Sequence, residues 1–286
     1  MLDDIYHALD PVAFSVGPFA VRWYGIGYVL GFAVAALLLY KVSKRWKLRI
    51  DADSVLTIMV CVIIGIIIGA RLGYCLFYGN GYYLSHPLEI FAINQGGMSF
   101  HGGLIGALVS GIVAAKITTI PYLTLTDLGA IAATLGIFMV RCANFINGEL
   151  WGAPTDLPWG VVFGGAAGDM PRHPSQLYEG ILEGLVIFAV LFAMSFKKPT
   201  LPRGSFIGVF LVMYGVFRVL IEFVREPDIQ LGYLAFGWVT MGQVLSLPLI
   251  IAGAAVLIYA AKTKRPQEGI RRSSSSIDRP DTSTQS

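Results

Sequence analysis

The stretch YGVFRVLIEFVREPD sets Arg218, Glu222 and Arg225 at i, i+4 and i+7. On a helix that spacing puts all three on one face, where they can pair. Two arginines against one glutamate leave a positive charge over, which suits an anion. A second stretch, VRCANFINGELWG, sets Arg141 and Asn144 at i, i+3, and Asn147, Gly148 and Glu149 follow. Asn and Gly there could serve as a helix C-terminal cap. Arg141 one turn below favours a rim that binds a head group. In a third, MSFHGGLIGALVSG, the glycines permit close helix packing, but they do not explain His101, which titrates near neutral pH. In a fourth, RHPSQLYEG, Ser175 is expected to cap a helix, with Gln176, Tyr178 and Glu179 offering hydrogen-bonding groups.

Guanidinium forks match phosphate oxygens bidentately, and they stabilise charge developing on a phosphate leaving group. A histidine beside them could deprotonate an incoming nucleophile. The three cysteines, Cys61, Cys75 and Cys142, show neither CxxC nor Cys/His ligand spacing. Neither a disulfide framework nor a metal site is therefore expected.

The elements that must position these groups are membrane helices. The chain of 286 residues is 55% hydrophobic and 14% charged, against about 25% charged in soluble domains. Seven segments approach the roughly 20 apolar residues that cross a bilayer: 20–40, 55–78, 98–116, 123–147, 176–196, 204–225 and 238–261. The expected fold is an all-α polytopic integral membrane protein with about seven transmembrane helices. The acidic start, MLDDIYHALDP, lacks the basic n-region of a cleaved signal peptide. Fifteen Lys and Arg fall in alternate connections and the C-terminal tail, against one, Arg172, on the opposite side. Basic residues stay cytoplasmic, so the N-terminus is expected outside and the C-terminus in the cytoplasm. The net charge of +3 is accordingly topogenic, and no nucleic-acid partner is expected. Residues 1–265 form one transmembrane catalytic domain in this reading, and the Ser-rich 266–286 a disordered cytoplasmic tail.

On this topology the polar residues share a depth. Arg22 and Tyr24 open the first span from outside, and His101 lies a few residues into the third. Arg71, Arg141 and Arg218 lie six or seven residues before the outer ends of their spans, roughly 10 Å below the surface. Glu179 and Glu183 occupy the outer turns of the fifth span, and the inner halves have almost no polar groups. For Arg22, Arg71 and Arg225, snorkelling to the interface competes with a binding role. The residues alone describe an outer-leaflet phospholipid enzyme or, alternatively, an anion or phospholipid transporter. The transporter would want polar groups continuing inward and an internal repeat, and neither is apparent.

Over nearly its whole length the chain resembles the bacterial prolipoprotein diacylglyceryl transferases, from VRWYGIGY through GARLGY, GGMSFHGGLIG, VRCANFINGELWG and RHPSQLYEG to YGVFRVLIEFVREPD. The family signature in the fourth span is matched by Arg141, Asn144, Phe145, Asn147, Glu149 and Gly152, with Val140 and Ala143 where Gly is common. The resemblance implies transfer of the diacylglyceryl group of phosphatidylglycerol to the lipobox cysteine of a prolipoprotein signal peptide. A thioether forms and glycerol 1-phosphate leaves, with no cofactor. It implies a bacterial inner (cytoplasmic) membrane protein, surrounded by membrane lipids, with its active site toward the periplasmic leaflet. By that analogy His101 is the base candidate, with a thiolate stabilised by arginine and assisted by Tyr24 as its rival. Arg141 and Arg218 hold the phosphate. Asn144, Asn147, Glu149, Glu222, Gly102, Gly103 and Arg71 line the substrate.

Overall fold

The computed structural model describes residues 2–17, 19–79, 81–93, 96–226, 234 and 236–270, without the side chains of Phe100 and His101. A short helix α1 (Leu2–His7) and an antiparallel hairpin, β1 (Val12–Val16) and β2 (Phe19–Arg22), precede the first span α2 (Trp23–Arg45). Next come α3 (Ala52–Phe77), the short α4 (Tyr82–Ser85) with a 3₁₀ turn Pro87–Phe91, α5 (Phe100–Thr118) and α6 (Tyr122–Ile146). The fifth span is α7 (Ser175–Glu179), a π-helical turn Gly180–Val186 and α8 (Ile187–Met194). The sixth and seventh are α9 (Ser205–Glu222) and α10 (Met241–Thr263). Six spans have the length and apolarity to cross a bilayer, and the α5 segment is a shorter apolar seventh. The expected all-α polytopic architecture is what forms.

Local chemistry sets where the spans start. Asp51 accepts from the Ser54 amide at 2.8 Å to cap α3, and Ser99 accepts from Gly102 at 3.3 Å to cap α5. Thr240 and Gln243 form a reciprocal capping box on α10, so two of that helix's first four amide-end groups are satisfied without water.

Lipid tails are as apolar as leucine, so spans associate chiefly through close van der Waals packing of small residues. Three helix pairs do this. Gly65, Gly69 and Gly73 of α3 lie directly on Gly102, Gly106 and Ser110 of α5, and a Cβ on Gly73 would stand 2.7 Å from the Gly102 Cα. Gly31 of α2 faces Gly136 of α6, while Gly27 lies near Ala143. Gly208 and Gly215 of α9 meet the Gly253 and Ser246 carbonyls of α10. The α6 helix is the axis, packed against α2, the fifth span and α9.

One end of the bundle is a dry apolar core. Leu39, Val42, Ile50, Ile120, Leu128, Ile131, Ile187, Leu191 and Phe206 are buried together there. The expectation of almost no polar groups in this half needs one correction. Asp127 is fully buried and accepts from the amides of Gly204 (2.7 Å), Phe206 (3.1 Å) and Ile207 (2.8 Å), and from Gln267 Nε2 (2.7 Å). A carboxylate on α6 thus satisfies the orphan donors that open α9. Gln267, Glu268 and Ile270, assigned above to the tail, lie against the body. Glu268 pairs with Arg203 at 2.9 Å, and the Ile270 amide donates to the Arg49 carbonyl. Residues 271–286 lie outside the described residues.

The glycine contacts give a test of opposite signs. Gly106→Ala drives a methyl into the Gly65 carbonyl, and overpacking of this kind costs about 1–3 kcal/mol. Gly129, also in a span, has open space around it. Gly129→Ala should be neutral or stabilise by roughly 0.5–1 kcal/mol. Thermal midpoints in detergent should therefore fall for the first and hold or rise for the second.

Candidate active site

At the other end of the bundle the chain turns sharply after α6. Gly148 (φ +67°) and Leu150 (φ +60°) take left-handed backbone, and the Glu149 amide reaches back to the Asn144 carbonyl at 3.1 Å. The following loop is fastened to the end of α9. Gly152 donates to the His173 carbonyl at 2.8 Å, Ala153 to Val224 at 3.0 Å, and Gly152 bridges to Arg225. A Cβ on Gly152 would stand 2.6 Å from the His173 Cβ, so bare backbone is needed here.

The expected capping role of Ser175 is not what forms. Ser175 is the first residue of α7, and its hydroxyl donates across to the Leu150 carbonyl at 2.9 Å. Gln176 Nε2 likewise donates to the Glu149 carbonyl at 2.6 Å. Helix length alone could not reveal that the loop's carbonyls outcompete the helix's own amides for these side chains. Together they fix the start of the fifth span beside the end of the fourth. Tyr178 Oη accepts from Trp159 Nε1 at 2.7 Å and lies 3.3 Å from His173 Nδ1. Partial burial holds the His173 imidazole below its ordinary pKa, so it is neutral at pH 7.

The π turn then shapes the interior. Its Gly180 and Gly184 lie on Phe138 and Arg141 of α6, and the wide turn, a feature often found at functional sites, lies between Glu179 and the rest of the span. Both Glu179 and Glu183 are fully buried. Glu179 Oε2 is 2.6 Å from Arg141 Nη2 and 3.2 Å from Arg218 Nη1, and its Oε1 is 3.7 Å from Arg225 Nε. Glu222 Oε1 lies 2.6 Å from Arg218 Nη2 and 3.1 Å from Arg225 Nη1. Its Oε2 accepts from Thr240 Oγ1 at 2.6 Å. Gly242 lets that carboxylate press against the start of α10, since a Cβ there would collide with it. Three guanidiniums from the ends of α6 and α9 are therefore knitted around two carboxylates, with side chains 13–17% exposed.

The structure gathers most, not all, of the residues singled out in the sequence. Arg141, Arg218, Glu222 and Arg225 meet directly. Asn144 is buried one turn from Arg141. Tyr24 donates to or accepts from Tyr28 at 3.0 Å and lies within the electrostatic reach of Arg141 and Glu149. Asn147 Nδ2 donates to Glu149 Oε1 at 2.7 Å at the exposed rim. Arg71 goes elsewhere. Its guanidinium is buried and donates to the carbonyls of Glu89, Ile90, Gly96 and Gly97 at 2.6–3.1 Å, which holds the loop between α3 and α5 rather than a ligand. Gly102 is occupied by its contact with α3, and Gly103 faces Ala70 and Ile66. His101 lies in the first turn of α5, and its side chain lies outside the described residues. Glu179 was read from the sequence as a hydrogen-bonding group and not as the hub, and Glu183 and Thr240 were given no role. Two glutamates four residues apart in an otherwise apolar span were the available signal.

Comparison with known proteins gives the same family as the resemblance. The profile described as "LGT: Prolipoprotein diacylglyceryl transferase" matches residues 11–259. A phosphatidylglycerol–prolipoprotein diacylglyceryl transferase of Oleidesulfovibrio alaskensis is 48% identical over 264 residues, covering 91% of this chain and 96% of the relative. Those of Geobacter sulfurreducens (46%, 90% and 97% covered) and Methylococcus capsulatus (48%, 91% and 98% covered) are similarly close.

Removing the hub should be costly. Glu179→Ala strands buried guanidiniums, and breaking a buried ion pair from one side costs about 3–5 kcal/mol. Glu149→Ala, at an exposed position, should cost little. Comparable thermal midpoints for the two variants would refute the hub role.

Proposed function

We propose a course of reaction for this chain, which belongs to the prolipoprotein diacylglyceryl transferase family. The observation that carries it is the convergence of Arg141, Arg218 and Arg225 on Glu179 and Glu222 at one end of a multi-pass bundle. The diacylglyceryl group of phosphatidylglycerol passes to the lipobox cysteine thiol of a prolipoprotein signal peptide. The guanidiniums hold the phosphodiester. Glu179 and Glu222 fix their forks in place beforehand, so little reorganisation is needed when charge develops.

The cysteine sulfur attacks the glyceryl carbon as thiolate, because a thiol with pKa about 8.5 is the weaker nucleophile. The C–S bond forms as the C–O bond to phosphate breaks, and that bonding pair leaves on the phosphate oxygen as glycerol 1-phosphate. Arg141 and Arg218 stabilise the charge that collects there. The thiol proton goes to His101, the rival route being a thiolate stabilised by arginine and assisted by Tyr24, and Asn144, Asn147, Glu149 and Glu222 position the lipid. Support for a site open to ligand comes from buried atoms without hydrogen bonds at this end, including Asn147 Oδ1, Gln176 Oε1 and both oxygens of Glu183. The chain lies in the bacterial inner membrane with this end toward the periplasmic leaflet and the C-terminus in the cytoplasm, an orientation supported by the distribution of basic residues. Residues 1–265 form the catalytic domain in this reading, and of the cytoplasmic segment 266–286 the part through Ile270 lies against it. The opposite half offers a transported anion no path: it is packed with apolar side chains, and Asp127 is taken up by backbone amides.

Purified protein in detergent, given phosphatidylglycerol and a lipobox peptide, should add a diacylglyceryl mass to the peptide, and none when its cysteine is replaced by serine. Arg141→Ala should lower kcat by about 10²–10³-fold, as loss of a preorganised donor does. Full activity in that variant would remove the phosphate-holding role. A C-terminal alkaline phosphatase fusion should be inactive, and an active one would invert the orientation.

A further inference from the structure

Glu183 is the one acidic group of this interior that the reaction above does not use. It lies one turn deeper than Glu179, is fully buried, and neither carboxylate oxygen has a hydrogen bond. Among the described residues the ion pairs of Arg141 and Arg218 go to Glu179 or Glu222, and Arg225 reaches both of these carboxylates as well. Yet Glu183 feels the fields of Arg218, Arg141, Arg225 and Glu179, and Tyr214 feels its own. Each element packed around it contributes a charged or titratable group. They are Glu179 on its own span, Arg141 on α6, Tyr214, Arg218 and Glu222 on α9, and Arg225 just beyond.

The charge count decides what such a carboxylate does. Among the described residues, these three guanidiniums and three carboxylates sum to zero charge when all are ionised. A phosphodiester monoanion entering it would leave one buried negative charge over. Buried groups facing that cost neutralise themselves by binding or releasing a proton. Glu179 and Glu222 each sit 2.6 Å from a guanidinium nitrogen, so protonating either would break a close ion pair. Protonating Glu183 breaks none.

We propose that Glu183 matches the charge of the arginine cluster to that of its ligand: ionised while the site is empty, it takes one proton from solvent as a phosphodiester monoanion binds. This rests on the reading of the cluster as the phosphodiester site. Glu183 is then a positioning residue for charge, which keeps all three guanidiniums available to the ligand.

The test is calorimetric titration of the full chain in detergent with short-chain phosphatidylglycerol. It is run from pH 6 to 9 in pairs of buffers that differ in ionisation enthalpy. Wild type should take up protons on binding, approaching one per lipid as pH rises, and its affinity should fall toward tenfold per pH unit. Glu183→Gln, neutral at every pH, should lose that uptake above pH 7 and bind with an affinity flat across the same range. Uptake by an unperturbed imidazole would instead be confined to the region near pH ~6.5. Wild-type binding without proton uptake at any pH overturns the inference, a result that needs no variant to fold. So does uptake that survives in Glu183→Gln. If wild type binds no lipid, or Arg141→Ala binds it unchanged, the phosphodiester reading itself fails.

Discussion

Glu179 sits at the crossing of three guanidiniums, one from α6, one from α9 and one from just beyond the end of α9. A single buried carboxylate cannot satisfy that much positive charge. Glu222 and Thr240 complete the arrangement from α9 and the start of α10. Like charges brought this close in a medium of low polarity repel strongly unless counter-charges hold fixed places among them. The ends of the fourth, fifth, sixth and seventh spans are thereby tied to one another. Any movement of one changes the spacing of charges that the others present.

The rest of the bundle is arranged to let this happen. Small residues on three helix pairs bring backbones into contact, as Gly69 and Gly73 do against Gly102 and Gly106. The apolar end can then be packed dry, and the cost of a polar interior is confined to the other. Loop chemistry adds the finer placement. Ser175 and Gln176 reach across to the carbonyls of Leu150 and Glu149, and Gly152 reaches His173. Arg71 makes an analogous fixture for the loop between α3 and α5. Chemistry on a phosphate needs rigid donors, and these contacts supply rigidity where helix packing ends.

The spans were legible because the requirement of about 20 apolar residues leaves little choice of boundary. Their starts were less exact: α3 begins at Ala52, capped by Asp51, against an expected 55, and α5 at Phe100, capped by Ser99, against 98, because a polar cap lies outside the apolar run that marks the span. The face shared by Arg218, Glu222 and Arg225 was legible because helix periodicity alone brings them together. Ser175 was misread because its partner, Leu150, is 25 residues away along the chain. Arg71 matched the others in depth, yet depth does not say which way a side chain is drawn. Four backbone carbonyls of the connection between α3 and α5, two of them in its 3₁₀ turn, were its stronger partners.

What the sequence alone determined is therefore everything that follows from local periodicity, composition and short motifs. That includes an all-α membrane chain, where along its spans the charges lie, and the family to which its motifs belong. Which charges meet was decided only by the tertiary structure. Glu179 and Glu183 read as two polar residues in an apolar span until Gly180 and Gly184 let that span lie on Arg141, with Arg218 arriving from α9. Asp127 likewise owes its place to the amides of Gly204, Phe206 and Ile207, which come from the start of another span. Such pairings are set by the approach of segments distant in the chain, which no local pattern encodes.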